Sequence, residues 1–302
     1  MLLFDFSDNE LKVLGLSPKL LGGQAVTSYI KSPLKAGLVV RRQSVDPQKL
    51  SAEVGEILKK GEFKITAGES AALSLHDERV FTLRLKVGKT SDGKDVLKYI
   101  DTQVETFIPE SAHDIVSSFK PAAVGSPGEV QFIAADKNLI LGYREVFKDL
   151  GLDLTMVVPE SYALYQLISN TLGLGETVLF LNLEDNAADF IVMDKEGVLQ
   201  TFTDSPDSES VERKITSIFT YMEKRWARKI SKLWLGGTMM KDGESLAKKL
   251  QLESIKVETA LTGYPFKFGP KSTGANTAEA AHLLGLALLT KQKDALNLVG
   301  SV

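Results

Sequence analysis

The chain has 302 residues, which is too long for a single small core and favours two domains. Hydrophobic residues make up 43% and charged residues 25%, as in ordinary soluble globular proteins. The formal net charge of -3 gives no indication of a surface for nucleic acid or anionic lipid. Cysteine is absent, which excludes disulfides, thiolate chemistry and zinc–thiolate sites.

No stretch approaches the roughly 18 consecutive apolar residues that a membrane-spanning helix needs. The first residues, MLLFDFSDNE, lack a basic region and reach an acid at Asp5, so we expect no signal peptide and a cytoplasmic location. The histidines, His76, His113 and His282, are not at metal-ligand spacing from one another. We predict surface or packing roles for all three.

Strand-like and helix-like segments alternate from the start of the chain, which favours α/β architecture. A helix is predicted after Asp46, which would cap it, with Pro47 in its first turn and Gly61 at its end. The strands predicted before it are LLFDF (2–6), LKVLGL (11–16) and QAVTSYI (24–30).

Residues 70–135 have the pattern of a compact module set inside the first half. The predicted order is strand, helix and hairpin, and a GSPG turn at 125–128 joins the last two strands. Two further helices are predicted at 137–151 and 159–173. The segments of the module are AALSL (71–75), VFTLRLKV (80–87), DVLKYIDTQVETFIPES (95–111), HDIVSSFKPAAV (113–124) and EVQFIAA (129–135).

The pattern restarts at residue 177 with three predicted strands. A long helix is predicted from Pro206 to Lys229, with acids near its start and basic residues near its end, as the helix dipole favours. The segment GYPFKFGPKSTGAN (263–276) is predicted to be a turn-rich loop. The remaining elements are the strand KLWLGG (232–237), a Lys-rich helix near 243–250, the strand SIKVETA (254–260) and a final helix at 277–290.

Each half opens on a predicted hairpin with a short acidic turn. The two turns are similar in sequence, FDFSDN at 4–9 and LNLEDN at 181–186. Duplicated hairpins, a long helix and a later strand ending in Gly-Gly resemble the actin-like ATPase superfamily.

Within that superfamily, the order of segments is similar to the type IV pilus assembly PilM family, a relative of the division protein FtsA. The resemblance runs through nearly the whole chain. Its matching segments are DFSDNELK (5–12), VFTLRLKV (80–87), VETFIPES (104–111), FKDLGLDLTMVVPESYAL (147–164) and GLALL (285–289).

The resemblance implies an α/β fold of duplicated actin-like (ribonuclease H-like) domains, with a small α+β module inserted in the first half. The implied limits are 1–175 for the first half, with the module at about 70–150, and 176–302 for the second half.

The chain departs from the family pattern at the nucleotide site. The second phosphate hairpin of the family resembles D-I-G-A-G-T-T-D, whereas residues 182–189 are N-L-E-D-N-A-A-D. Glycine lets backbone N–H groups approach a phosphate, and a carboxylate about 5 Å from a phosphate charge costs roughly 3 kcal/mol at an effective dielectric near 20. We therefore expect no ATP hydrolysis and no catalytic residue, and the changes disfavour binding of ATP and Mg²⁺. The positions that would contact a nucleotide are Asp5, Ser7, Lys12, Asp189, Gly236 and Gly237.

The implied function is that of a non-catalytic scaffold at the cytoplasmic face of the inner membrane. It would bind the short N-terminal peptide of a PilN-like membrane protein, in a groove between the first subdomain and the inserted module, and help to couple the pilus machine to its motor ATPases. No nucleic-acid partner is expected. The partner-binding candidates are Phe81, Arg84, Phe107, Ile108 and Pro109. Core roles are open for all of them, and Arg84 also fits the solvated face of a strand.

The segment ALNLVGSV (295–302) is similar to a PilN-type I-N-L-L-P motif. It could mimic the partner peptide in the same groove, mark a former continuation into a PilN-like protein, or be similar by chance.

Other functions also stay open. One is an active actin-like ATPase, in which Asp5 or Asp189 would place a metal ion and the attacking water. Another is an FtsA-like filament protein or a type II secretion cytoplasmic component.

Overall fold

The computed structural model describes most of the chain. Three residues discussed above, Phe107, Pro109 and His113, lie outside the described part, and so does most of the predicted GSPG turn at 125–128. The described residues are 1–18, 24–41, 43–44, 46–88, 96–100, 102, 106, 108, 114–122, 128–184, 187–237, 240–261, 266–275 and 278–301.

Strands and helices alternate along the chain. The strands are β1 (Leu2–Phe6), β2 (Glu10–Pro18), β3 (Gln24–Pro33), β4 (Val39–Val40), β5 (Gln43–Ser44), β6 (Glu69–Leu75), β7 (Val80–Lys86), β8 (Ile115–Pro121), β9 (Glu129–Asp136), β10 (Leu152–Pro159), β11 (Thr177–Leu183), β12 (Ala188–Asp194), β13 (Gly197–Asp204), β14 (Ile230–Gly237), β15 (Glu253–Lys256) and β16 (Lys267–Lys271). The α-helices whose full length is described are α1 (Pro47–Lys60), α2 (Lys137–Asp149), α3 (Glu160–Ile168), α4 (Ser208–Trp226), α5 (Met240–Lys249), α6 (Glu258–Leu261) and α7 (Ala281–Leu289). Residues 96–100, within the helix predicted at 95–111, are helical as well.

A six-stranded sheet with the order β10-β6-β1-β2-β3-β16 organises the first half. Strand β1 is buried along its whole length, as expected for a central strand covered on both faces. It pairs antiparallel with β2 and parallel with β6, and β10 extends the sheet parallel to β6. Strand β10 is therefore an edge strand of this sheet.

A five-stranded sheet with the order β13-β12-β11-β14-β15 repeats the same arrangement in the second half. Strand β11 pairs antiparallel with β12 and parallel with β14, just as β1 does with β2 and β6. The hairpin repeat in the sequence therefore corresponds to a structural duplication, in two α/β halves as predicted.

A separate three-stranded antiparallel sheet, β7-β9-β8, forms the module between β6 and β10. It has its own apolar cluster, which includes Phe132, Ala134 and Ile108. Strands β7 and β8 are its two edges. Strand β7 lies against β13 of the second half, so the module contacts both halves of the protein.

The two predicted ends of α1 are confirmed, with Asp46 as its N-cap and Gly61 as its C-cap, whereas the ends of α4 differ from the prediction. The carboxylate of Asp46 accepts a hydrogen bond from the Lys49 N–H at 3.0 Å and caps α1, as predicted. Helix α4 is shorter at both ends than the predicted 206–229. Asp207 is its N-cap, and Ala227 adopts a left-handed conformation (φ 52°) that ends it.

The segment predicted as a turn-rich loop at 263–276 contains a strand, so that prediction was wrong. Strand β16 pairs parallel with β3 and forms the other edge of the first sheet. Gly269 and Pro270 disfavour a strand locally, but an edge position tolerates proline because one side of the strand needs no partner. Tertiary pairing therefore overrides the local propensity.

The last helix also returns to the first half. Helix α7 packs on α3 and on strands β1 and β6. The predicted limit near residue 175 stays a prediction, and the first half gains both β16 and α7 from beyond it. Within the described part of the chain, no helix is long and apolar enough to cross a membrane.

Candidate functional site

The first hairpin places an acid and a lysine side by side. Asp5 on β1 is the register partner of Lys12 on β2, and Lys12 Nζ lies 3.6 Å from Asp5 Oδ2. Ser7 lies at the turn, where its N–H donates to the Glu10 carbonyl at 2.8 Å and its hydroxyl to the same oxygen at 3.3 Å. Ser7 therefore helps to close the hairpin.

The second hairpin presents its acid in the equivalent place. Asp189 on β12 is buried, opposite Asn182 on β11, and accepts a hydrogen bond from the Thr203 hydroxyl at 2.9 Å. The Glu184 N–H donates to the Ala187 carbonyl at 3.0 Å and so closes the turn.

Each hairpin acid lies next to a buried histidine, a contact that the sequence analysis did not predict. His282 Nε2 on α7 lies 3.0 Å from Asp5 Oδ2, and His76 Nε2 lies 2.9 Å from Asp189 Oδ2. Both histidines are buried. The partners are separated by 277 and 113 positions in the chain, so no local spacing could have indicated either pair.

The hairpins face each other across a very small cavity of about 10 Å³, which has room for about one water molecule. Lys12, Glu160, Glu184 and His282 contribute to its lining, and Glu160 Oε1 lies 3.5 Å from His282 Nδ1. Burial lowers the pKa of Lys12, but Asp5, Glu160 and Glu184 outweigh it and raise that pKa above its usual range. Lys12 is therefore a buried cation surrounded by acids.

The Gly-Gly pair at the end of β14 packs tightly against β11. A Cβ on Gly236 would lie 2.6 Å from Cζ of the Phe180 ring, and one on Gly237, whose φ is 84°, would lie 2.2 Å from the Leu183 carbonyl oxygen. The sheet itself therefore requires glycine at both positions.

In this arrangement the described residues do not fit Mg-ATP. Sites for small ligands usually enclose about 300 Å³ or more, far above the volume between these hairpins. Both hairpin acids already lie within hydrogen-bond distance of a histidine. The described part of the chain also contains no group of three or more acidic or histidine side chains placed to hold a metal ion. The six predicted nucleotide contacts all lie on these two hairpins or on β14 beside them, and their role stays a prediction.

The candidate partner residues in the described part of the chain belong to the module, and two of them lie on β7, the edge opposite β8. Phe81, on β7, is half-buried and Ile108 is buried, and both belong to the module core. Arg84, also on β7, is buried, and its guanidinium donates two hydrogen bonds to Asp194 of β12, at 2.9 and 2.7 Å. The interpretation of Arg84 as part of a solvated strand face was therefore wrong. Its assignment to partner binding, like those of Phe81 and Ile108, stays a prediction.

A segment of the chain without regular secondary structure lies between the edge strands β10 and β8, and it bends into a short 3₁₀ turn at Val299. In this docked segment (residues 295–299), the Leu298 N–H donates to the Val157 carbonyl of β10 at 3.0 Å. The Asn297 N–H donates to Ser118 Oγ of β8 at 3.3 Å. The first sheet and the module are therefore joined through a groove that this segment occupies.

The amide of Asn297 also bonds the edge of β10. Its Oδ1 accepts a hydrogen bond from the Val157 N–H at 3.0 Å, and its Nδ2 donates one to the Thr155 carbonyl at 2.9 Å. Leu296 and Leu298 on either side are buried in the main core. The sequence analysis considered this segment only through its motif.

Comparisons with solved structures confirm the predicted actin-like fold. One match is a chain from a PilM-PilN type IV pilus biogenesis complex, with a TM-score of 0.75 and 17% identity, covering 95% of this chain and 97% of that one. Another is a protein with an actin-like ATPase fold and unknown function from Bacteroides thetaiotaomicron VPI-5482, with a TM-score of 0.52 and 12% identity, covering 87% and 95%. A comparison with curated protein sequences gives no match.

The comparison with protein families assigns the chain to a narrower group of proteins than the shared fold does. The model of type IV pilus assembly protein PilM matches residues 4–199, more than half of the chain and nearly all of the first half, the module and the second hairpin. The chain therefore belongs to the family of the type IV pilus assembly protein PilM.

Proposed function

We propose that this protein is a non-catalytic scaffold of the type IV pilus assembly platform, at the cytoplasmic face of the inner membrane. It binds the short N-terminal cytoplasmic peptide of a PilN-like membrane protein and helps to couple the platform to its motor ATPases. Membership of the PilM family supports the assembly role, and a PilM relative of the same fold forms a complex with PilN.

The observation that carries the proposal is the groove between β10 and β8. Edge strands have unpaired N–H and C=O groups that pair readily with an extended peptide, which is a common mode of peptide recognition. The docked segment supports such a role for the groove, because it lies there and bonds the backbone of Val157 and the hydroxyl of Ser118. A membrane protein with a short cytoplasmic peptide is a partner suited to such a groove.

A second observation favours a scaffold over an ATPase. Asp5 and Asp189, the acids that would orient a metal ion and the attacking water, are instead paired with His282 and His76. A nucleotide would also have to enlarge the cavity between the hairpins many times over. No hydrolytic step is therefore assigned to these residues.

The proposal is tested by a calorimetric titration of the purified protein. The titrant is a synthetic peptide from the N-terminus of the PilN-like protein of the same organism. Ser118→Arg, which places a bulky cation in the groove, should weaken binding at least about tenfold. Ser217→Arg makes the same change on the exposed surface of α4 and should leave binding unchanged. The proposal would be contradicted if the unmodified protein and both variants bound the peptide equally tightly. It would also be contradicted if none of them bound the peptide, even after the docked segment had been released from the groove.

A further inference from the structure

We propose that the docked segment (residues 295–299) is a built-in ligand of the peptide groove and keeps the groove closed until it is released. The inference rests on the proposed function, because that function assigns the partner peptide to the same groove. It adds that a partner peptide competes with a segment of this chain.

The way Asn297 is held supports a ligand role. A side-chain amide has the same donor and acceptor as a peptide group. The Asn297 amide pairs with the N–H of Val157 and the C=O of Thr155, which are groups that a neighbouring strand would use. Leu298 adds a backbone bond to Val157. The outer edge of β10 is thus saturated over these residues, and a second peptide cannot pair there at the same time.

Two apolar anchors flank that amide. Leu296 and Leu298 are 1% and 0% exposed, and they join the cluster that contains Val116 of β8 and Val157 of β10. The alternation of leucine, asparagine and leucine places an apolar side chain on each side of the polar contact. The groove therefore recognises a short pattern of apolar residue, asparagine and apolar residue.

The connection to the rest of the chain is short and exposed. Helix α7 ends at Leu289, and Lys291, Lys293 and Asp294 of the connection are exposed. A short tether keeps its ligand at an effective concentration in the millimolar range, roughly. A segment with weak intrinsic affinity can therefore occupy the groove in nearly every molecule, and a free peptide meets a strongly reduced apparent affinity.

The test separates the segment from the chain without removing it. A protease recognition sequence is inserted between Lys291 and Lys293, and the cleaved protein is compared with the uncleaved one. The probe is a fluorescent synthetic peptide with the sequence of residues 293–301, KDALNLVGS, followed by anisotropy. A matched probe with Asn297→Ala measures the contribution of the amide.

The expected result is that cleavage leaves the circular dichroism spectrum unchanged and tightens binding of the labelled peptide at least about tenfold. The alanine probe should bind at least about tenfold more weakly than the asparagine probe, because it loses both bonds to the β10 backbone. Three results would overturn the inference: equal binding before and after cleavage, no binding by a cleaved and folded protein, or unfolding on cleavage. The last would make the segment part of the core rather than a ligand.

A parallel titration with the PilN-like peptide separates the two proposals. Binding of KDALNLVGS but not of the PilN-like peptide by the cleaved protein would contradict the proposed function and leave the inference standing. If the PilN-like peptide bound equally tightly before and after cleavage, the inference would be contradicted and the proposed function would stand.

Discussion

The guanidinium of Arg84 forms a bidentate pair with the carboxylate of Asp194, and so fastens the inserted module to the second half of the protein. Arg228 also bonds Asp194 from the end of α4. Both side chains of the bidentate pair are almost fully buried. The neighbouring turn is fitted to this contact, since a Cβ on Gly197 would lie 2.4 Å from Gln131 Oε1 and 3.0 Å from Arg84 Nη2.

Replacing Arg84 should destabilise the protein strongly. In Arg84→Met the buried Asp194 loses its bidentate partner, and removing one member of a buried pair typically costs about 3 to 5 kcal/mol. Urea denaturation measures the free energy of unfolding. Arg225→Met, which removes an exposed arginine from α4, is the control and should change it by less than about 0.5 kcal/mol. Similar losses in the two variants would show that the pair does not stabilise the contact.

Much of the fold could be predicted from the sequence because its signals are local. Asp46 caps α1, and the alternation of strands and helices in each half corresponds to a sheet with one repeated topology. Strand β16 could not be predicted in this way, because Gly269 and Pro270 oppose a strand and only the edge of β3 supplies the missing hydrogen-bond partners.

The candidate site was predicted only in part, for a related reason. Asp5, Lys12 and Asp189 stand at hairpin positions that can be recognised from the repeat in the sequence. Their histidine partners come from distant elements, and a single histidine in an apolar helix such as α7 has no distinguishing pattern. Long-range pairing of this kind is set by the tertiary fold and not by residue spacing.

Addition of Mg-ATP should change neither the melting temperature of the protein nor the amount of free phosphate. A ligand that binds only the folded state raises the melting temperature, but the cavity between the hairpins is far smaller than a usual ligand site. We expect no shift of the melting temperature at millimolar Mg-ATP and no release of phosphate. Steady release that is lost in Asp5→Ala or Asp189→Ala would identify the protein as an ATPase and contradict the scaffold assignment.

Asp77 should make the stability depend on pH. Its carboxylate accepts a hydrogen bond from the Ser161 N–H at 2.8 Å, at the start of α3, and another from the Thr82 hydroxyl at 3.1 Å. Burial, opposed by the Ser161 hydrogen bonds and reinforced by Glu160, raises the pKa of Asp77 from 3.8 to about 7.

The raised pKa fixes the sign of this effect. Between the unfolded pKa and about 7, the folded state keeps a proton that the unfolded state has released, so this contribution to stability falls as pH rises, by up to about 1.4 kcal/mol per pH unit. Asp77→Asn does not titrate and should gain stability relative to the unmodified protein from about pH 5 to about pH 7. Denaturation curves at several pH values measure the difference. Parallel pH profiles for the two proteins would rule out titration of Asp77 in this range.

Two glycine-to-alanine changes in helices should have opposite effects. Gly285 of α7 lies against α3, and an added Cβ would be 2.0 Å from the Ala163 carbonyl oxygen, which is rigid backbone. Gly285→Ala should therefore force the two helices apart and destabilise the protein by about 1 to 3 kcal/mol. Gly142 of α2 has no atom within 4 Å of the added Cβ, so Gly142→Ala should stabilise the protein by about 0.5 to 1 kcal/mol through helix propensity. Thermal and urea denaturation distinguish the two. An unchanged free energy of unfolding in Gly285→Ala would contradict the prediction. It would mean that the position of α7 is less constrained than its packing indicates, and so is the contact of its His282 with Asp5.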